Sequence, residues 1–309
     1  MKFADVAAVY LASPAAPIAE PRVPSTPARR LRDALEPIAT QGWWAKAVHD
    51  RLEPHGLGFL DGYVWGRAAA LGEPTPGVVA ATFGVFEPTF LGMMLSMGRA
   101  AISRDDVLDA RQAGAVESLS AIVVADDAIR SAADALVGAT GQLDATARPL
   151  FGGLRDLSLP ASPLGRLWRA AELVREHRGD GHLSACIAAG LDPVEMSVMT
   201  ELWLDYPIGE YTATRGYGPD AISAAQARLV ARCWVDAKPT PAGLPAARLT
   251  ALGRAARNEI EVATDRSQQA LVNALSTQIG PVITTAERVS AAIVAAGAFP
   301  ADPRKRAAG

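Results

Sequence analysis

A mainly α-helical fold is what this sequence predicts, and three observations predict it. Helix-start signals, a Ser, Thr or Asp followed closely by Pro or an acid, recur along almost the whole chain. The polar–apolar alternation of strands is absent from its first half. One stretch, Val235–Leu249, sets three prolines and a glycine between apolar flanks, as in a hairpin with a long tip.

Composition bounds the rest. The 309 residues are half hydrophobic and 20% charged, with a net charge of -3. That is an ordinary globular composition, long enough for two domains, and no cationic excess demands a polyanionic partner. No apolar run approaches the ~20 residues of a membrane span. The first residues hold one early base and an interrupting Asp5, which argues against a secretory leader. Cys186 and Cys233 fall in predicted helices and read as free, buried thiols of a cytoplasmic protein.

In chain order, residues 1–24 read as an extended arm, rich in Pro and Ala. Ser25-Thr26-Pro27 opens a helix through Glu36, and Gln41–Leu52 forms the next. Leu60–Leu71, Pro76–Val85 and Pro88–Gly98 follow, then a helix capped by Ser103 to about Leu119 and another from Ser120 to Val137. Residues 141–163 serve as a linker region between a helical domain over 25–140 and a second domain over 164–276, with a last helix and tail over 277–309. In the second domain Leu164–Arg178 is helical, Gly179-Asp180-Gly181 is a turn, and His182–Ala189 is helical. Asp192-Pro193-Val194-Glu195 caps a helix to about Asp205. A helix from Pro219 or Asp220 to Cys233, the hairpin, and a long helix Ala251–Leu275 capped by Thr250 complete it. A helix over Pro281–Ala296 and a frayed tail from Pro303 end the chain.

Three helices, a hairpin and a long helix make the order of a winged helix-turn-helix, with the hairpin as a small β wing. The segment Leu249-Thr-Ala-Leu-Gly-Arg-Ala255 resembles the wing exit of the MarR regulators. More of the chain, roughly residues 25–290, resembles an actinobacterial helix-turn-helix family sometimes labelled SalfA-like. The marks are Tyr63-Val-Trp-Gly-Arg67-Ala-Ala-Ala-Leu-Gly72, Arg175-Glu-His-Arg-Gly-Asp-Gly-His182, and Leu249-Thr-Ala-Leu-Gly-Arg254 followed by Glu259-Ile-Glu-Val-Ala-Thr-Asp265. The chain departs from the pattern at Ala70, where the family leads one to expect proline. It departs again at Phe83–Pro88, where an Asn-containing aromatic cluster is expected, and at Arg232-Cys233, where Arg-Gly is expected. The resemblance implies the fold; it carries no settled activity, and a helix-turn-helix fold does not by itself imply DNA binding.

The densest chemistry lies at 175–182. His177, Asp180 and His182 are the candidate catalytic groups, a carboxylate near imidazole being the usual general-base arrangement. Arg175 and Arg178 share a helix face as candidate ligand contacts. The competing structural reading is a helix end, with cations on its dipole and Asp180 capping the next helix. Tyr63, Trp65 and Arg67 are candidate ligand contacts, with Trp43 and Trp44 nearby; against this stands simple packing, with Arg67 paired to Glu53, Asp61 or Glu73. His49 and His55 read as surface histidines, and Met93, Met94 and Met97 as core. No metal site is expected, since nothing fixes a geometry for His177, Asp180 and His182. No nucleotide-binding or nucleophile signature is present, so no dedicated cofactor is expected.

The slot of the recognition helix, Asp220–Trp234, begins with an acid and small residues, and its cations Arg228 and Arg232 come late. Residues 164–265 hold 11 basic and 13 acidic side chains, a balance of -2. DNA is therefore a less favoured partner. The expectation is a cytoplasmic winged-helix protein that binds a small molecule of specialised metabolism and acts on it by an acid/base step. The alternatives are a MarR-like, ligand-responsive DNA-binding regulator, and a non-catalytic accessory subunit of a biosynthetic enzyme. The apolar stripe Ile260, Ala263, Ala270, Leu271 and Leu275 suggests a homodimer or hetero-partner joined through the C-terminal helices.

Overall fold

The computed structural model describes residues 1–12, 18–21, 23–238 and 246–308. Helix α1 (Phe3–Tyr10) stands where an extended arm is expected. Asp5 accepts from the Lys2 amide at its start, and Phe3 and Val6 bury an apolar face next to Phe59. Two apolar contacts in a helix this short leave no readable period. Helix α2 (Pro27–Ala39) begins as its sequence dictates: Thr26 Oγ1 accepts from Arg29 N at 3.0 Å and Pro27 is the first helical residue. Helices α3 (Gln41–Trp44), α4 (Lys46–Leu52), α5 (Phe59–Ala68), α6 (Pro76–Phe83) and α7 (Pro88–Ala101) follow, then α8 (Arg104–Ile122) and α9 (Asp127–Gly141). The α8–α9 break falls later than expected, because Asp126 is the residue that caps, accepting from Ile129 N at 2.8 Å. Helix α10 (Pro149–Arg155) lies in the linker region.

The main difference from expectation is α11, one unbroken 26-residue helix from Pro163 to Ala188. No turn forms at Gly179–Gly181. A Cβ on Gly181 would lie 2.4 Å from Ser267 Oγ and 2.8 Å from a nitrogen of Arg148, so this glycine admits close packing. A Cβ on Gly179 would meet nothing closer than Glu176 Oε2 at 3.7 Å; this glycine borders open space.

Helix α12 (Pro193–Trp203), capped reciprocally by Asp192 and Glu195, and helix α13 (Pro219–Ala231) form the helix-turn-helix pair. Strands β1 (Val235–Lys238) and β2 (Ala246–Leu249) pair antiparallel, with Val235 opposite Leu249. The tip of the expected hairpin, residues 239–245, lies outside the described residues. Cys233, expected to be buried in a helix, is exposed and sits just past α13 with φ 58°. This left-handed position is where the resembled family leads one to expect glycine. The Leu-Thr-x-x-Gly pattern has a plain steric cause: a Cβ on Gly253 would lie 1.9 Å from the Trp234 carbonyl oxygen.

The expected long helix from Ala251 is two, α14 (Ala251–Arg266) and α15 (Gln269–Leu275). Helix α16 (Ile279–Ala295) returns to pack on α2 and α9. Helix α17 (Pro303–Ala308) stands where a frayed tail is expected, its last carbonyls taken by Arg29 and Arg32 of α2. Among the described residues no helix is long and apolar enough to cross a membrane.

Among the described residues three large apolar clusters form most of the core, beside the small one at α1. The largest gathers Leu31, Leu136, Trp168, Leu271, Leu275 and Val289 from α2, α9, α11, α15 and α16. A second gathers Val48, Trp65, Leu91 and Val107 from α4, α5, α7 and α8, and a third gathers Met199, Trp203, Ile222, Leu229, Val235 and Ile260 around the helix-turn-helix. Leu271, Leu275 and Ile260 of the proposed dimer stripe are thus buried within the chain. Met93 and Met97, expected in the core, are about half exposed, while Met94 is buried.

Candidate functional site

Helices α1, α2, α5, α11, α12 and α17 leave a cavity of about 370 Å³ where they meet. That is within the range of small-molecule sites. Aromatic side chains supply much of its wall: Trp43, Trp44, Phe59, Tyr63, Phe83, Phe86 and Tyr211. Helix α11 supplies most of the polar part, with Arg175, Glu176, Arg178, Gly179, Asp180 and His182 all on the lining. The glycine at 179 leaves unfilled volume that any side chain there would occupy.

Four of the eight sequence-predicted site residues, Tyr63, Arg67, Arg175 and Arg178, line the cavity as members of one buried charge network. Arg67 meets Glu176 two-pronged, Nε to Oε1 at 3.1 Å and Nη2 to Oε2 at 2.7 Å, and donates to Tyr63 Oη at 3.0 Å. Its guanidinium also lies 4.5 Å from the Phe83 ring. Arg175 donates to Glu176 Oε1 at 2.8 Å and to Glu36 Oε1 at 3.3 Å, over the Trp43 ring. Arg178 donates to Glu261 at 2.7 Å and Asp265 at 3.0 Å. None of Glu53, Asp61 or Glu73 is the partner of Arg67. Burial pushes the Glu176 carboxyl up, but Arg67 and Arg175 outweigh it and hold the group at about 2. On α14, Glu261 and Asp265 are buried partners of Arg29, Arg178 and Arg257, whereas Glu259 is exposed.

The three candidate catalytic groups do not converge. Asp180 lines the cavity and accepts from Phe151 N at 3.2 Å. Burial, helped by the neighbouring Glu176 charge, raises its carboxyl to about 7, against the pull of that amide, Arg67 and Arg148. His182 lines the cavity but turns to Thr264 Oγ1 at 2.9 Å and to Cys186 Sγ at 3.5 Å. Burial and then the charge of Arg257 push its imidazole down to about 3. His177 is off the cavity, with Nδ1 at 2.9 Å from Gln268 Oε1 and the ring edge-on to Phe151. Burial lowers it to about 4. The carboxylate–imidazole pair anticipated at 175–182 is therefore not made: in an unbroken helix Asp180 and His182, two residues apart, do not face each other, and His177, on the same side as Asp180, is bonded to Gln268 instead. Both imidazoles are neutral and weak bases, while Asp180 is the group poised near neutral pH. No cluster of three His, Cys, Asp or Glu among the described residues is arranged to hold a metal.

Trp65 is also off the cavity. It is buried in the second cluster and donates its indole N–H to Ile102 O at 3.0 Å. His49, expected at the surface, is buried between Phe3 and Phe59 and bonds Trp43 O at 2.8 Å. Sequence reading missed Arg215 and Lys305, which line the cavity from the connection before α13 and from α17. Nothing in the sequence separates them from ordinary surface cations.

The outer face of α13 shows Asp220, Ser223, Ala224, Ala227, Arg228 and Ala231. Arg228 is engaged by Asp192 and Glu195, Arg232 by the Gly190 carbonyl at 2.7 Å, and Arg248 of the wing by Asp236 at 2.9 Å. These cations are spent within the chain. No curated protein and no solved structure matches the chain significantly. A family model described as a helix-turn-helix family matches residues 28–300. The match spans the aromatic wall, the charge network and the helix-turn-helix pair together, and this chain belongs to that helix-turn-helix family.

Proposed function

We propose that this protein binds a small molecule in the cavity between its helical half and its helix-turn-helix, and that Asp180 exchanges a proton with it. The observation that carries this reading is a carboxyl held at about 7 on the wall of an aromatic-lined cavity. Catalytic acids and bases work best when their pKa lies near the operating pH, and burial is a common way to bring a carboxyl there. Arg67, Glu176 and Arg175 satisfy one another's hydrogen bonds, which suits a wall that positions a ligand and leaves proton transfer to Asp180. The test is native mass spectrometry of the wild type and a Gly179→Leu variant after incubation with a small-molecule extract of the source cells. The expected outcome is a small molecule retained by the wild type and lost by the filled-cavity variant. Equal retention by both would refute the reading.

A second reading has its own support. Met196, Ser197 and Thr200 of α12 and Tyr211 and Arg215 of the following connection face the cavity. An occupant would thus press on the helix-turn-helix and bias its position, as in a ligand-responsive regulator. The charges tied up around α13 weigh against it. A gel shift with DNA from upstream of the protein's own gene discriminates. A sequence-selective, salt-sensitive shift that ligand reverses favours the regulator; no shift at low salt favours the first reading.

A further inference from the structure

Arg215 and Lys305 differ from the other cations on the cavity. Arg67, Arg175 and Arg178 each meet a carboxylate. Among the described residues, Arg215 and Lys305 are in no ion pair. The Arg215 side chain makes one hydrogen bond, to Tyr211 Oη, and its buried Nε has no partner. Its guanidinium lies 4.7 Å from the Phe86 ring and 4.3 Å from the Tyr211 ring. The Lys305 ammonium makes no hydrogen bond among the described residues and lies 4.6 Å from the Tyr10 ring and 5.0 Å from the Tyr206 ring. Of the acids nearby, Asp302 is occupied by Arg304 and Tyr206, and Glu210 is exposed.

Both side chains stand on built supports. Buried Glu201 accepts from the amides of Gly209, Tyr211 and Thr212 at 3.0, 2.5 and 2.6 Å, which folds the connection that presents Arg215. The carbonyls at the end of α17 are held by Arg29 and Arg32, which fixes the helix that presents Lys305. Two like charges on an aromatic-walled space, with no ion-pair partner among the described residues, are costly unless an anion joins them.

We propose that Arg215 and Lys305 form an anion subsite, and that the ligand is an amphipathic acid. Its apolar body lies on the aromatic wall, and one carboxylate or comparable anionic group is taken by the guanidinium and the ammonium together. The body is larger than one ring, since a cavity of about 150 Å³ already holds benzene and this one offers about 370 Å³. The inference rests on the cavity being a ligand site, and it adds the chemical class of the ligand.

Two fluorescent probes of nearly the same shape test it. 8-Anilinonaphthalene-1-sulfonate carries an acidic group; N-phenyl-1-naphthylamine is its uncharged counterpart. The wild type is expected to bind the sulfonate about tenfold more tightly. Arg215→Gln combined with Lys305→Gln abolishes that preference and leaves the neutral probe bound as before. Lys305→Gln alone, which breaks no hydrogen bond, is read where the double variant does not fold, and it lowers sulfonate affinity about threefold or more. A wild type that binds both probes equally, or variants that keep the preference, overturn the anion subsite while the cavity stands. Binding of neither probe overturns the cavity reading and the subsite with it.

Discussion

At Asp180 burial keeps a carboxyl protonated into the neutral range, and this links stability to pH in a defined sense. Its folded value is raised to about 7 from 3.8. Its contribution is therefore fully present below pH 3.8 and is lost as pH rises toward 7. The buried imidazoles of His177 and His182, lowered to about 4 and about 3, act in the opposite sense, losing stability as pH falls below 6.5. Asp180→Asn removes only the contribution of Asp180. The stability of the variant relative to wild type is expected to rise by about 1–2 kcal/mol from pH 4 to pH 7 and to level off above, after discounting for partial solvation. Urea melts at several pH values check this; a difference independent of pH contradicts it. At Cys233 the left-handed backbone suits glycine. Cys233→Gly is expected to stabilise by about 0.5–1 kcal/mol in the same assay. Residues whose role is local were legible in the sequence, among them the caps Thr26, Ser103, Asp192 and Thr250. Residues defined by distant partners were not: His177 and His182 carry the same letters whether they face a cleft, Gln268 or Thr264.

Helix α11 shows how one element misled and then explained the site. Two glycines within three residues read as a turn, because each costs an isolated helix about 1 kcal/mol. Tertiary packing overrides that cost. Gly181 lets Ser267 and Arg148 approach, and Gly179 keeps the cavity open. The two positions should respond in opposite ways. Gly181→Ala is expected to destabilise by about 1–3 kcal/mol, because its Cβ would overlap packed atoms. Gly179→Leu should hold or slightly raise the melting temperature, since leucine favours helix and space is available. Thermal melts of the two variants decide it; equal losses would contradict the assignment of separate roles. The first part of the helix, Leu164–Arg178, was legible, and so was the concentration of polar function on it. Its continuity was not, because the contacts that keep it unbroken come from residues 148 and 267.

Across the whole molecule, α11 ties the helical half to the helix-turn-helix. Its Glu176 holds Arg67 from α5 and its Arg178 holds Glu261 and Asp265 from α14. Glu176→Gln leaves two buried guanidinia short of charge, and a loss of about 3–5 kcal/mol is expected by denaturant melting. A loss below 1 kcal/mol would mean that water reaches the pair. The mainly helical class and the winged-helix order were legible because they follow from caps and periodicity. The cavity was not, since its walls come from Tyr10, Arg67, Asp180, Arg215 and Lys305, far apart in the chain. This shared space is the proposed ligand site, and Gly179 gives direct access to it. The decisive measurement is titration of N-phenyl-1-naphthylamine fluorescence against wild type and folded Gly179→Leu. A ligand site gives saturable binding to wild type, weakened about tenfold or more by filling the cavity. Binding that is absent from the wild type, or unchanged in the variant, would contradict it.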